Sequence, residues 1–342
     1  MTGEAAKREL AAIIDCPSCL DLIQHWRNQM SVTNLQHVAL AVPDPETGKA
    51  FYTDFRLEGQ VRGNQIVMRC EGKDQDQVIL VEGPKRKLHH ICFGTTADQF
   101  AGLTKKIEKF GSQLVDPPLE TSGDGSWFHD PDGVLINVRI ADEAASTGGP
   151  NPSTPEPPLQ INTPGHFDRL GIRAAPERGR ACKPRRLGHM LQFTPDFGRK
   201  LDFYTNVLGF RLADKVGGIA AWLYCDGGSD HHVMAFAATG GTGLHHLSFE
   251  FANLDEVGQG AMQLIEKGYG NGWGCGRHVI GSNYFHYVRD PWNSLVEFYC
   301  DMDYIPAGTD WEARDWPAED MLYAWGPDLP EDFLVNFEAV DD

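Results

Sequence analysis

The stretch LGHMLQFTPD, Leu187–Asp196, echoes an earlier stretch of the same chain, LQHVALAVPD, Leu35–Asp44. LQHVALAV mixes apolar and polar residues in the alternation of a half-buried strand, stops at Pro43-Asp44, and is followed by a helical pattern around Thr47–Phe55. The later copy leads in the same way into Phe197–Leu208. The echo continues along the chain. His189 lies 152 residues beyond His37, and FYTNV at Phe203 lies 152 beyond FYTDF at Phe51. LHHLSF at Leu244 follows LHHICF at Leu88 by 156, and DPWNSLVEF at Asp290 follows DPDGVLINV at Asp130 by 160. Four blocks in one order, with slowly growing offsets, mark an internal duplication. The copies predict one domain over 31–140 and another over 187–300.

Each copy divides again. LHHICFGT precedes a predicted helix over Ala97–Phe110, and LHHLSFEF precedes one over Leu254–Lys267. Every quarter is thus a strand, a helix and further short strands. Residues 1–30 read as an N-terminal helical extension. Residues 141–186, rich in Gly, Pro, Ser and Thr, read as a linker or long loop. Residues 301–342 form an acidic tail whose Trp311, Trp316 and Trp325 are expected to dock on a surface.

Composition narrows the function classes. The 342 residues carry a net charge of −18, a field that repels phosphate backbones, so nucleic acid is not an expected partner. No apolar run reaches the roughly 18–20 residues needed to span a bilayer, and the N-terminus lacks the apolar stretch of a signal peptide. The expectation is a soluble cytoplasmic protein with no membrane partner. The eight cysteines are spread thinly, as reduced thiols would be, and Cys16-Pro-Ser-Cys19 has no second such pair to make a metal site.

Four strand–helix–strand quarters in two paired domains resemble the vicinal oxygen chelate superfamily, over roughly two thirds of the chain. The resemblance implies an α+β fold: four βαβββ modules in two domains, with mixed curved sheets, each pair half-enclosing a central site. It also gives meaning to His189, His246 and Glu297. Two imidazoles and one carboxylate leave open positions on an octahedral ion, as non-haem Fe(II) chemistry requires. A single histidine on an apolar strand is more often a hydrogen-bonded core residue, and a lone Glu can face solvent. Glu297, however, sits among Leu295, Val296, Phe298 and Tyr299, and a buried carboxylate wants a cation. His245 and His246 are adjacent, so on a regular strand only one faces the site. The family pattern selects His246.

GRHVIGSNYFHYVRDPWNSLVE, Gly276–Glu297, closely resembles the extradiol dioxygenase signature: Gly276-Arg277-His278, Tyr287, Asp290-Pro291 and a closing Glu297. His286 departs from the usual aliphatic residue or Phe. Asn293 departs from the usual turn Gly or Pro, though Asn also tolerates left-handed backbone. The resemblance implies that the chain is an extradiol catechol 2,3-dioxygenase type oxidoreductase. It would open a catechol beside its diol with O2 at one Fe(II), with Mn(II) also suited to the ligands, and form a muconic semialdehyde-type product. Within SDHHVMAF, His232 takes the family's acid–base role. His278 and Tyr287 would bind substrate oxygens, and Trp222 would be the aromatic beside the metal, though a plain core Trp reads equally well. Family members are commonly multimers, so a homo-oligomer is expected.

The duplication supplies a control. The first domain keeps His37 and His90 but has Asn137 opposite Glu297, Gln77 opposite His232 and Trp127 opposite Tyr287. An amide is a poor substitute for a carboxylate ligand, so this domain is expected to be non-catalytic. Two other readings compete: a glyoxalase-like metal-dependent lyase or isomerase, and a metal-free small-molecule binding module of the same superfamily. Arg185, Arg186 and Arg277 could meet a substrate carboxylate, but are expected to pair with the chain's many acids.

Overall fold

A computed structural model describes residues 30–119, 121–141, 160–174, 177 and 179–339. The expected N-terminal helix, Cys16 and Cys19 lie outside the described residues.

The first half folds as a seven-stranded mixed sheet. Its strands are β1 (Asn34–Val42), β2 (Glu58–Arg62), β3 (Gln65–Arg69), β4 (Val78–Glu82), β5 (Lys87–Thr95), β6 (Ser126–His129) and β7 (Leu135–Ile140), in the order β2-β3-β4-β1-β5-β7-β6. From the linker, β8 (Asn162–Thr163) and β9 (His166–Phe167) form an exposed hairpin.

The second half repeats the same topology. Its strands are β10 (Arg186–Thr194), β11 (Phe210–Val216), β12 (Ala220–Cys225), β13 (Gly228–Asp230), β14 (Met234–Ala238), β15 (Gly243–Glu250), β16 (Gly270–Arg277), β17 (Tyr284–Arg289) and β18 (Leu295–Cys300). The tail adds β19 (Tyr304–Pro306), paired with β13, and β20 (Arg314–Asp315), paired with β11. The nine-stranded order is β16-β17-β18-β15-β10-β14-β12-β11-β20, the first sheet with an extra strand at each edge. The sequence offsets reappear as strand starts: Asn34 and Arg186, Lys87 and Gly243, Leu135 and Leu295.

The Pro-Asp pairs end one element and begin the next. Asp44 caps α1 (Pro45–Asp54) by accepting from the Glu46 amide, and Asp196 caps α3 (Phe197–Asp202) by accepting from the Arg199 amide. The helix expected over Phe197–Leu208 is in fact α3 followed by one π turn, Phe203–Val207. Two further α-helices among the described residues are α2 (Ala97–Phe110) and α4 (Leu254–Glu266). Among the described residues, no helix is long and apolar enough to cross a membrane.

One aromatic core runs through both halves. Phe55 lies 4.4 Å from Phe298 and 5.0 Å from Phe249, and Phe93 lies 5.3 Å from Phe210, ring centre to ring centre. The repeated Asp of the last turn ties the halves reciprocally. Fully buried Lys200 of the second half pairs with Asp130 of the first and lies 3.1 Å from Asp132. Buried Arg86 of the first half lies 3.5 Å from Asp290 of the second, and also pairs with Glu338 from the tail. In the same turns Gly133 (φ 83°) matches Asn293 (φ 66°), so Asn293 supplies the left-handed backbone that Gly supplies in the first copy.

Candidate metal centre

His189 is on β10, His246 on β15 and Glu297 on β18, three adjacent strands of the second sheet. Pairing alone does not explain how they meet, because the strands are not regular. Along β10 and β15, Leu187 faces Phe249 while His189 faces Ser248, so Gly188 is an extra residue. Further on, Leu191 faces His246 while Gln192 faces Leu244, so His245 is an extra residue. The first bulge needs glycine, because a Cβ on Gly188 would stand 1.9 Å from the Tyr299 hydroxyl. That hydroxyl donates to buried Asp230, and the Tyr299 ring lies 5.0 Å from His189.

The second bulge corrects the sequence argument. His245 and His246 do not face opposite sides: both line the same cavity, with Nδ1 atoms 2.6 Å apart. They differ in their far nitrogens. His245 Nε2 lies 2.7 Å from the Phe333 carbonyl, whereas His246 Nε2 lies 3.4 Å from Glu297 Oε2 with no hydrogen-bond partner.

His189 Nε2 lies 3.0 Å from the same Glu297 oxygen. The ligand atoms of His189, His246 and Glu297 all lie within 4.8 Å of one another. At metal–ligand distances of about 2.1 Å, neighbouring ligands of an octahedral ion stand about 3 Å apart, so the spacing fits a first-row divalent ion. The orphaned nitrogen of His246 and a carboxylate with no exposure point the same way. Burial pushes the Glu297 carboxyl up, but hydrogen bonds from His189 and His278 and the surrounding imidazoles outweigh it and hold it well below the usual carboxylate range.

The other expected residues gather around this group. The His232 ring lies 4.4 Å from that of His189, and burial first, then His189 and His231, hold it well below the usual histidine range. His231 and His232 are adjacent in sequence, but no strand places them on opposite faces. They occupy instead the bend between β13 and β14, and their Nδ1 atoms are 3.1 Å apart. His278 Nε2 lies 3.1 Å from the Tyr287 hydroxyl and 3.6 Å from Glu297 Oε1. Burial, with Glu297 nearby, raises Tyr287 well above the usual phenol range, so its hydroxyl keeps its proton. Trp222 lines the cavity as well.

Sequence reasoning missed Asn283, fully buried, whose Nδ2 donates to Glu297 Oε1 at 3.2 Å. Its signal was an amide in the middle of the signature stretch. The tail docks on the second domain, as expected, and reaches the site itself. Met321, Leu322, Phe333 and Leu334 close the cavity, and the Leu322 carbonyl meets His278 Nδ1. Trp311 and Trp316 pack against the second sheet, but Trp325 remains 48% exposed and contributes a backbone bridge to Arg277.

The cavity holds about 60 Å³. Histidines and Tyr287 form its polar lining. Leu191, Ala220, Trp222, Ala235, Ala237 and Ile280 are apolar. Among the described residues, no lysine or arginine lines it. Arg186 is bound to Asp230 and Glu250, and Arg277 to Tyr284 and Asp301. A wider, open groove of about 720 Å³ beside Lys106, Phe210 and Trp311 has no cluster of ligand residues among the described residues.

The first domain arranges the same positions differently. His37 Nε2 and His90 Nε2 touch at 3.0 Å, and burial with nearby Arg139 brings His37 down to about 3. Asn137 turns away, donating to the Asp124 carbonyl and accepting from the Cys92 thiol. Trp127 packs 5.0 Å from His90, much as Tyr287 packs 5.2 Å from His246. Gln77 reaches across to accept from the Leu187 amide at 2.5 Å. Among the described residues, this domain brings no comparable ligand group together.

The chain matches the profile of the Glyoxalase/Bleomycin resistance protein/Dioxygenase superfamily twice, over residues 34–138 and 186–298. Metapyrocatechase 2 of Cupriavidus necator is 40% identical over 314 residues, which cover 92% of this chain and 95% of that one. Two solved structures share the fold. The Mn(II)-bound glyoxalase of Novosphingobium aromaticivorans has 24% identity and a TM-score of 0.67, covering 86% of this chain and 91% of its own. The 2,2',3-trihydroxybiphenyl 1,2-dioxygenase of Sphingomonas wittichii has 20% identity and a TM-score of 0.67, covering 88% and 100%. A fold shared by a glyoxalase and a dioxygenase does not choose between their chemistries. The signature stretch and the full-length relative do: the chain belongs to the extradiol dioxygenases of the glyoxalase/bleomycin resistance protein/dioxygenase superfamily.

Proposed function

We propose that this enzyme holds one Fe(II) through His189, His246 and Glu297 and cleaves a catechol with an apolar substituent beside its diol, giving a muconic semialdehyde-type product. The observation that carries this reading is the convergence of three ligand atoms beside a cavity with a largely apolar lining, in which no lysine or arginine stands among the described residues. When bound, the ion acidifies a coordinated phenol and links the electron-rich ring to O2; Mn(II) suits the same ligands.

The protein supports that chemistry in stated ways. Buried His232 takes a phenolic proton and returns it later, the work of a positioned imidazole. Tyr287, kept protonated, donates to a substrate oxygen, and His278 orients that hydroxyl from 3.1 Å. Asn283 fixes the second oxygen of Glu297, leaving Oε2 for the ion. Trp222 and the tail residues Leu322 and Phe333 exclude water. The test is anaerobic loading with Fe(II), then air and a panel of catechols. Yellow ring-opened product with matching O2 uptake supports the reading, and catechol left intact rejects it.

A further inference from the structure

The bend that carries His232 also carries a chain of buried polar contacts that leads away from the metal ligands. His232 Nδ1 lies 3.1 Å from His231 Nδ1, and His231 Nε2 lies 3.0 Å from Asp214 Oδ2. The relative exposures of Asp214, His231 and His232 are 5%, 1% and 5%, so water does not compete for these contacts. The other Asp214 oxygen is already committed, accepting from the Arg314 amide at 2.8 Å. Trp311 covers the chain from outside. Its ring lies 5.7 Å from that of His231, and its Nε1 donates to the Ala213 carbonyl at 2.9 Å. On the inner side Gly281 (φ 85°) leaves the room. A Cβ there would stand 3.3 Å from His232 Nδ1 and 3.4 Å from His231 Nδ1.

We infer that Asp214 and His231 are positioning residues that set which nitrogen of His232 carries its proton. A carboxylate only accepts, so His231 Nε2 is the donor toward Asp214. The remaining nitrogen of a neutral His231, Nδ1, must then accept. His232 Nδ1 is therefore the donor in the contact between the rings, and its proton sits there. That leaves His232 Nε2 bare, with a lone pair able to receive a proton. Such an arrangement resembles the way a buried Asp holds a catalytic imidazole in one tautomer. It also gives the tail a role in the chemistry, since residues 303–314 brace the chain: the Asp303 carbonyl accepts from the His231 amide at 2.6 Å.

This inference rests on the proposed acid–base role of His232, and the test separates the two. Asp214→Asn keeps the size of the side chain. Its oxygen stays on the Arg314 amide, so its NH2 turns toward His231 Nε2 and reverses each donor and acceptor in turn, placing the His232 proton on Nε2. The expected result with catechol as substrate is a kcat lower by roughly 10²-fold, with KM and bound metal within twofold of wild type. Histidine ¹⁵N NMR on the full chain loaded with diamagnetic Zn(II) gives the second readout. The wild type should show His232 protonated on Nδ1, and the Asp214→Asn variant should show it on Nε2. A wild-type His232 protonated on Nε2, or an Asp214→Asn enzyme with kcat within twofold, overturns the inference. If Asp214→Asn loses its metal or its fold, the wild-type spectrum alone decides. Failure of the underlying reading looks different: His232→Phe would then retain turnover, whatever the tautomer.

Discussion

His246 Nε2 stands 3.4 Å from Glu297 Oε2, is buried, and has no hydrogen-bond partner. An unsatisfied nitrogen beside a buried carboxylate is costly unless an ion completes the pair. Glu297→Gln should therefore fold but fail to hold the metal, because an amide brings neither the charge nor the basicity of the carboxylate. Metal content after dialysis should fall from about one ion per chain to near zero. A variant that keeps a full complement would remove Glu297 from the ligand set.

The reciprocal ion pairs make a prediction about stability. Lys200 and Asp130 are both fully buried, so Lys200→Ala strands a carboxylate in the interface between the halves. The expected loss is about 3–5 kcal/mol, seen as a lower unfolding midpoint, with the double substitution of both partners less damaging than either alone. A midpoint unchanged in Lys200→Ala would show that the pair contributes nothing.

The apolar wall predicts specificity. Catechols with an alkyl or aryl substituent at ring position 3 or 4 should be cleaved with higher kcat/KM than carboxylated catechols, for which the described lining of the cavity offers no cation. Ala235→Phe should narrow the wall and lower kcat/KM for the bulkier substrates by roughly tenfold while sparing catechol itself. Equal losses for all substrates would place Ala235 outside the substrate's reach.

Removing the tail should expose the site. Truncation after Asp301 takes the Leu322 carbonyl from His278 and Phe333 from His245 and Tyr287. A higher KM for catechol and a lower Tm are expected. Unchanged values for both would mean that the tail only decorates the second domain.

The repeat made much of this fold legible. Offsets between His37 and His189 and between Asp130 and Asp290 foretold strand starts and the shared sheet order, because side chains repeated in register fold into repeated strands. The signature stretch likewise drew His278, Tyr287 and Glu297 to one place, and the structure gathers them with His189, His232 and His246. What a period of two could not reveal were the bulges at Gly188 and His245, which depend on partners more than fifty residues away. These bulges put both His245 and His246 in the cavity. Nor could local pattern show that Leu322 and Phe333 return to close it, since those contacts join distant parts of the chain.

One metal centre, in the second domain, should account for all the turnover. Titrating Fe(II) anaerobically into the metal-free chain, and measuring at each point the initial rate of ring-opened product on adding catechol and air, reads this out. The rate should rise linearly and level off at about one Fe(II) per chain. A plateau at two, with the second ion lost in a His37→Ala variant, or product formation that does not depend on iron, would contradict it.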